Sequence, residues 1–176
     1  MKLPIAYFGN PILRKKCERV LEITPEIRRF VHDMEETMIA HDGIGLAAPQ
    51  VQRSLAIFIT CVPPEVDGEY TGEPGKLKIF INPKILEYSE EEWIRGEGCL
   101  STPGIYGPVI RPLSIKVEAI DLDGKIFIED FSGLDARAIM HENDHINGVL
   151  FIDRVRGKER LEIEKPLKDL KKKFTK

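Results

Sequence analysis

The stretch GLDARAIMHENDHINGVLF, residues 133–151, decides how this sequence is interpreted. Ser132 and Asp135 have the spacing of a capping box at its start, and Gly148 is a natural stop for a helix. The pattern therefore predicts a helix over about residues 133–147. The pentapeptide HENDH lies in the second half of this helix.

One face of the predicted helix carries both histidines of this pentapeptide. Positions at offsets of 0, 4, 7 and 11 share that face, and they hold Leu134, Ala138, His141 and His145. This face is expected to look into the core. Because one helical turn separates His141 and His145, both imidazoles can reach one metal ion. Glu142 lies about 100° round the helix, so it can point at a metal-bound water without binding the metal.

The HExxH pattern alone leaves the third metal ligand open, and a partly buried helix without any metal is the plainer alternative. The extended metzincin pattern requires a further histidine where this chain has Phe151. A zinc endopeptidase could instead use a downstream glutamate. The candidates lie in a charged tail that is expected to be solvated, and they are Glu159, Glu162 and Glu164.

An upstream ligand fits better. The stretch EGCLS, residues 97–101, contains Cys99, and a thiolate is a strong ligand for divalent iron, zinc, nickel or cobalt. One cysteine and two histidines, with water in the fourth position, form an open, catalytic arrangement. A third stretch, GIGLAAPQ at residues 43–50, has two glycines that let a ligand approach the backbone and ends on the amide of Gln50. Its alternative is a plain turn into the next strand.

Bulk composition predicts one domain over residues 1–176. The formal net charge of -3 does not suggest a DNA-binding protein. No apolar run approaches the roughly 20 residues of a membrane span, and the N-terminus lacks the apolar core of a secretory signal. We therefore expect a cytoplasmic protein.

The remaining pattern predicts short strands between helices. Thr24 and Pro25 start a helix over about residues 25–41. Four β-rich runs follow, and they are Ala56–Thr60, Lys78–Ile81, Ser114–Ile120 and Lys125–Phe131. Short turns rather than crossover helices connect them, so the sheets should be mostly antiparallel and the class α+β. The segment 62–76 is rich in proline and glycine and is expected to be an exposed, mobile loop.

The tail is basic. From Lys158 onward the sequence has eight Lys or Arg against four Asp or Glu, a local net charge of +4. Pro166 is expected to open a last helix whose apolar stripe is Leu167, Leu170 and Phe174. This helix is either a solvated element that packs through its stripe or a surface for a polyanion.

Together the three stretches resemble the peptide deformylases, most closely the bacterial type 1 branch. That family carries the motifs G-φ-G-φ-A-A-x-Q, E-G-C-φ-S and H-E-φ-D-H, where φ is apolar. In this chain they read GIGLAAPQ, EGCLS and HENDH, in the same order and with matching spacing, over most of the sequence. Two positions depart from the pattern: Met140 replaces a usual Gln, and Asn143 replaces an apolar residue.

The resemblance implies antiparallel sheets around a central HExDH helix and a substrate that begins with N-formylmethionine, from which formate is released. It implies that Cys99, His141 and His145 hold one iron(II) ion, for which nickel, cobalt or zinc can substitute. It makes Glu142 the acid/base, and it assigns the oxyanion to the Leu100 backbone N–H and the Gln50 amide.

By the same resemblance the peptide backbone would lie beside Ile44 and Gly45 as an added strand. Leu134 and Ala138, on the inward face of the helix, would wall an apolar slot for the methionine side chain, with plain core packing as their alternative. The partners would be formylmethionyl nascent peptides, together with ribosomal RNA at the basic terminal helix. A zinc endopeptidase and a non-catalytic, ribosome-associated metal-binding protein remain the rival functions.

Overall fold

The computed structural model describes residues 1–175. Lys176, the end of the predicted single domain and of the basic tail, lies outside the described residues. The helices are α1 (Pro25–Ala40), α2 (Gly133–Ile146) and α3 (Gly157–Phe174). Short 3-10 helices span Pro11–Arg14, Ala48–Val51 and Phe151–Asp153. The strands, in chain order, are β1 (Gly45–Ala47), β2 (Ile57–Thr60), β3 (Glu65–Val66), β4 (Glu69–Tyr70), β5 (Lys78–Tyr88), β6 (Glu92–Gly98), β7 (Tyr106–Pro112), β8 (Ser114–Ile120) and β9 (Ile126–Ser132).

The strands pair only with antiparallel neighbours within the described part of the chain. They form a five-stranded sheet in the order β1-β2-β5-β8-β9 and two hairpins, β3-β4 and β6-β7. This confirms the predicted α+β class with antiparallel sheets. The β6-β7 hairpin, whose first strand β6 ends one residue before Cys99, was not predicted.

Helix α2 packs on one face of the five-stranded sheet and also contacts β7 of the hairpin. Ile139 and Met140 of α2 are buried in one cluster with Phe58, Phe80 and Val117 of the sheet. Full burial of each such side chain stabilises the fold by about 1.5–3 kcal/mol. The helix that carries HENDH is therefore fixed between the sheet and the β6-β7 hairpin.

Helix α1 covers the opposite face of the same sheet. Because side chains alternate along a strand, Ile57 and Ile59 of β2 point toward α1 while Phe58 points toward α2. The side chains of Phe30 and Met34 complete this second layer. As predicted, Thr24 caps α1 by accepting a hydrogen bond from the Ile27 N–H at 3.2 Å.

Helix α3 begins at Gly157, so the prediction that Pro166 opens it was wrong. A proline inside a helix removes one backbone hydrogen bond and normally costs about 3 kcal/mol. Here burial of Ile163, Leu167 and Leu170 in a third cluster holds both sides of the proline in one helix. Phe174 ends the stripe half-exposed, with its ring stacked on Tyr7 at 3.9 Å between centroids.

The start of α2 differs from its predicted capping box. The Ser132 side chain makes no capping hydrogen bond in the described chain, and Asp135 instead pairs with Lys78 at 3.1 Å. The acceptor for the Leu134 N–H is the hydroxyl of Tyr70, at 3.1 Å. Tyr70 belongs to the β3-β4 hairpin, so the segment predicted as a loop contains paired strands and holds one end of the central helix. Among residues 1–175, no helix is long and apolar enough to cross a membrane.

Candidate active site

A cleft of about 660 Å³ opens between β1, β6 and α2. It is lined by nine predicted site residues, which are Ile44, Gly45, Gln50, Cys99, Leu100, Leu134, Ala138, His141 and Glu142. The tenth, His145, lies behind this surface and is 1% exposed. The three separate stretches of sequence thus meet in one concave site.

Cys99, His141 and His145 form a compact group of possible metal ligands. One ligand atom from each lies within 4.8 Å of the other two. The Cys99 Sγ is 3.3 Å from His145 Nε2, and the two imidazole centroids are 5.1 Å apart. Burial holds the pKa of His145 well below its ordinary value, so this ring is neutral and offers the lone pair that a metal requires.

His141 is oriented by a carboxylate. Its Nδ1 lies 2.8 Å from Glu97, which leaves Nε2 for the side facing Cys99. Burial lowers the pKa of His141, but its hydrogen bonds with Cys99 and Glu97 outweigh burial and raise it above its ordinary value. A position beside the Glu97 carboxylate that favours a proton also favours a divalent cation. This carboxylate–histidine arrangement is the usual support of a metal-bound imidazole.

Glu97 is the centre of a buried charge network. It accepts hydrogen bonds from Arg111 at 2.6 and 2.9 Å and from Arg137 at 2.6 Å. Arg111 also donates to Asp144 of the HENDH helix at 3.0 Å, and Arg154 donates to Asp144 at 2.7 and 2.8 Å. Burial opposes the ionisation of Glu97, yet the hydrogen bonds from Arg111 and His141 hold its pKa far below the ordinary value. Glu97 is therefore a permanent anion behind the ligand group.

The sequence motifs contain Glu97 but predict no role for it, nor for Asp144, Arg111 or Arg137. One signal was present, because Asp144 follows His141 by three residues and so lies near the inward face of a helix. A charged residue there requires a buried partner. The partner itself could not be found without the β6-β7 pairing that brings Glu97 and Arg111 to one side.

Glu142 is buried and unusually placed. It is 4% exposed, and among the described residues its Oε2 has no hydrogen-bond partner. Burial raises the pKa of this carboxyl to about 7. A Cβ at Gly45 would lie 2.6 Å from Glu142 Oε1, so Gly45, the first residue of β1, leaves the space that this carboxylate fills. A carboxyl group whose pKa lies near neutrality therefore lines the cleft.

Gln50 is held by both ends of its amide. Its Oε1 accepts from the Ala47 N–H at 2.9 Å, while Nε2 donates to Cys99 Sγ and Ser101 Oγ, each at 3.3 Å. The Ala48–Val51 turn buries Gln50 to 1% exposure. The amide N–H groups therefore face the ligand group, as an oxyanion donor must.

The two departures from the motif have simple surroundings. Met140 is buried in the cluster between α2 and the sheet, where an apolar side chain packs well. Asn143 is partly exposed, and its backbone carbonyl accepts from Asn147 Nδ2 at 2.9 Å. Neither side chain is in the cleft lining.

Residues 2–161 match the model of the family described as polypeptide deformylase. The chain belongs to this family. It is 46% identical to a peptide deformylase of Acinetobacter baumannii over 86% of this chain and 81% of that protein. It is 38% identical to one of Christiangramia forsetii over 98% of this chain and 91% of that protein. Family membership makes it an enzyme, a hydrolase that removes the N-formyl group from newly made polypeptides.

Solved structures of the family have the same fold. A peptide deformylase 1B of Arabidopsis thaliana superposes with a TM-score of 0.88 and 40% identity, covering 98% of this chain and 92% of that one. A peptide deformylase of Ehrlichia chaffeensis gives a TM-score of 0.88 and 34% identity, covering 98% and 97%. The rival endopeptidase ligands are unsuitable here, because all three downstream glutamates are exposed on α3: Glu159, Glu162 and Glu164.

Proposed function

We propose that the cleft performs metal-assisted hydrolysis of the formyl amide, with Cys99, His141 and His145 as the ligands of one divalent ion. When bound, the ion supplies a water that ionises near neutral pH and polarises the formyl carbonyl. The observation that carries the proposal is the Glu142 carboxylate, buried beside Gly45 with its Oε2 unpartnered among the described residues. A structural metal site would need no such carboxylate.

Glu142 acts first as a base and then as an acid. It takes a proton from the attacking water as the water oxygen bonds to the formyl carbon. It then gives this proton to the amine nitrogen as the carbon–nitrogen bond breaks, so formate and a free N-terminus leave. The Gln50 Nε2–H and the Leu100 backbone N–H donate to the oxygen that becomes negative. Both residues line the same cleft as Glu142.

The methionine side chain enters an apolar slot on the α2 side of the cleft. Leu134 and Ala138 form one wall and Ile44 another, and all three line the cleft. The peptide backbone lies beside Ile44 and Gly45 as an added strand. This arrangement selects the residue that follows the small formyl group, since burial of a methionine is worth about 1.5–3 kcal/mol.

Iron(II) is the proposed native ion, with nickel, cobalt and zinc as substitutes, because one thiolate and two imidazoles suit all of them. The test is anaerobic loading with iron(II) or nickel, followed by measurement of formate from a formyl-Met-Ala-Ser peptide. Formate release at one ion per chain is the expected result. Absence of formate with the ion bound would reject the proposal, and cleavage of an unformylated internal bond would favour the endopeptidase.

The outer side of α3 is the proposed ribosome contact. Its last turn carries Lys171, Lys172 and Lys173, all exposed, while Leu167 and Leu170 hold the helix on the body. Replacing the three lysines by Glu should abolish salt-sensitive co-sedimentation with ribosomes. A control with equal charge change uses exposed lysines elsewhere: Lys76, Lys84 and Lys125. Equal sedimentation of both triple variants would refute the contact.

We further propose that residues 1–176 form one domain that acts in the cytoplasm on formylmethionyl nascent chains. A single cooperative unfolding transition, detected alike by circular dichroism and by fluorescence of Trp93, is the expected behaviour of one domain. Fractionation of cells expressing the chain tests the compartment, and recovery in the membrane fraction would contradict it.

A further inference from the structure

Arg95 lies on the cleft face of strand β6. Side chains alternate along a strand, so Trp93, Arg95, Glu97 and Cys99 project to one side of the hairpin while Ile94 projects to the other. Glu97 and Cys99 of this row belong to the site already described, and Arg95 lines the same cleft. One side of strand β6 therefore carries both the residues of the proposed metal site and the guanidinium of Arg95.

Two aromatic rings locate the Arg95 guanidinium. It lies 5.2 Å from the centroid of Tyr70 and 5.7 Å from that of Trp93. The hydroxyl of the same Tyr70 accepts from the Leu134 N–H at 3.1 Å. Arg95 thus lies at the Leu134 end of the cleft, which is the outer end of the proposed methionine slot.

The donors of Arg95 differ from those of its neighbour Arg137. Arg137 is buried, pairs with Glu97 at 2.6 Å and donates to the Trp93 carbonyl at 2.8 Å. Arg95 is exposed and makes no ion pair with any carboxylate within residues 1–175. A guanidinium whose faces contact rings keeps its N–H donors at its edge. These donors are available to a ligand.

The length of the substrate brings its first side chain to this cation. From His141 to Leu134, helix α2 rises about 10.5 Å at roughly 1.5 Å per residue. An extended N-formylmethionine spans roughly 8 Å from the formyl carbon to the terminal methyl, over six bonds. With the formyl carbon beside His141, the sulfur and methyl therefore end close to Leu134 and Arg95.

We propose that Arg95 determines specificity for the first side chain, and that the slot accepts N-formylmethionine sulfoxide as well as N-formylmethionine. Oxidation of methionine converts an apolar thioether into a polar, chiral sulfoxide. In a wholly apolar slot, the buried sulfoxide oxygen would lose its hydrogen bonds to water and bind poorly. The Arg95 edge replaces those hydrogen bonds, so chains that begin with an oxidised initiator residue remain substrates. The inference rests on the proposed slot at Leu134 and Ala138.

The test compares three peptides on the metal-loaded enzyme: formyl-Met-Ala-Ser, formyl-norleucine-Ala-Ser and formyl-Met-sulfoxide-Ala-Ser, the last as separate diastereomers. The measured quantity is the ratio of kcat/KM for the sulfoxide to kcat/KM for methionine. Because both values come from one preparation, the ratio does not depend on the folded or metal-loaded fraction. The variants are Arg95→Met, which keeps chain length without donors, and Arg95→Lys, which keeps the charge.

In the natural enzyme at least one diastereomer should be hydrolysed within about tenfold of the methionine peptide. Arg95→Met should lower the ratio by about tenfold or more, the size expected for a lost hydrogen bond to a charged group. Arg95→Lys should recover part of the lost sulfoxide ratio. The ratio of kcat/KM for the norleucine peptide to that for the methionine peptide should stay unchanged in both variants. Arg53→Met is the matched control, since Arg53 also lies over a ring, 4.9 Å from the Phe30 centroid, but outside the cleft.

Two failures are distinguishable. Absence of hydrolysis of all three peptides by the loaded enzyme would reject the proposed function itself. Rapid hydrolysis of the methionine and norleucine peptides, with the sulfoxide ratio below about one hundredth or unchanged in Arg95→Met, would reject the role of Arg95 alone.

Discussion

The two ends of helix α2 are held in different ways. At the ligand end, His141 and Asp144 are fixed by the buried charges of Glu97 and Arg111. At the slot end, Leu134 is held by one hydrogen bond to Tyr70, from a two-residue strand on a surface hairpin. The same helix therefore carries the proposed metal site, which many buried contacts hold in place, and the proposed methionine slot, which few contacts support.

This difference follows from what each end must do. Metal ligands and an acid/base must be positioned within about 0.5 Å, which requires packed and hydrogen-bonded supports. A methionine slot needs volume and an apolar wall, and a loop can supply these. Changes at the ligand end should therefore affect rate and stability strongly, and changes at the slot end should affect them weakly.

The largest effect is expected from Glu142→Gln. The amide keeps the size of the side chain but cannot take a proton from water, so kcat should fall by about 10²–10⁴-fold. Metal content, measured by elemental analysis, should stay at one ion per chain because Glu142 is not a ligand. A variant with near-natural kcat would contradict the assigned role.

Glu97→Gln should come next. It leaves Arg111 and Arg137 buried with less compensating charge, and breaking such a pair costs about 3–5 kcal/mol. Urea unfolding measures the loss, and metal affinity should also drop by about 10–100-fold as His141 loses its support. The control is Glu87→Gln, which breaks only the exposed pair with Lys116 and should cost below about 1 kcal/mol. Equal losses of unfolding free energy in Glu97→Gln and Glu87→Gln would show that the buried ion pairs stabilise the fold no more than the exposed one.

Gln50→Glu tests the oxyanion donor. The new carboxylate can still accept from the Ala47 N–H but cannot donate from the position of Nε2. Loss of one such donor should lower kcat by about 10²–10³-fold, with a smaller change in KM. Steady-state kinetics at saturating metal decide this, and a change confined to KM would assign Gln50 to substrate binding instead.

Tyr70→Phe probes the slot end. It removes the acceptor of the Leu134 N–H, and water can partly replace it, so unfolding free energy should fall by only about 0.5–1.5 kcal/mol. The kcat should stay within a fewfold of natural, because no ligand or acid/base moves. A loss of kcat comparable to that of Gln50→Glu would show that the two ends are not separately supported.

The smallest effect concerns pH and an exposed pair beyond the ligand end. Burial opposes ionisation of Asp153, but hydrogen bonds from Arg14 and the Leu150 N–H lower its pKa below the ordinary value. A lowered folded-state pKa gives stability that is present above about pH 4 and is lost as pH falls through the lower value. Arg14→Gln should therefore cost below about 1 kcal/mol at pH 7 and less near pH 3. A loss of unfolding free energy that becomes larger at low pH would contradict the lowered pKa of Asp153.

Much of the ligand end could be predicted from sequence, because its chemistry depends on residue types at fixed spacing. The helix period placed His141, His145 and Ala138 on one inward face, and the thiolate of Cys99 completed the group. The supports could not be predicted, because they are long-range. The Glu97–Arg111 pair depends on the β6-β7 register, and the cap of α2 by Tyr70 depends on a hairpin 64 residues away.

The terminal helix shows the limit of local rules. Pro166 is a strong local signal for a helix start, yet tertiary burial of Ile163 before it and Leu167 after it extends the helix across the proline. Local propensity decides a boundary only when packing on both sides is weak. The apolar stripe itself was predicted, since Leu167 and Leu170 are buried.

The close approach of Gly45 to Glu142 has a pharmacological consequence. A Cβ at position 45 would lie 2.6 Å from Glu142 Oε1, so a side chain there would displace the proposed acid/base and is expected to lower turnover. An inhibitor that draws its affinity from the backbone of residue 45 would therefore contact atoms that a resistance substitution is expected to alter only at a cost in activity. The neighbouring Ile44 side chain is 38% exposed. An inhibitor that relies on this side chain would lose affinity when Ile44 is substituted.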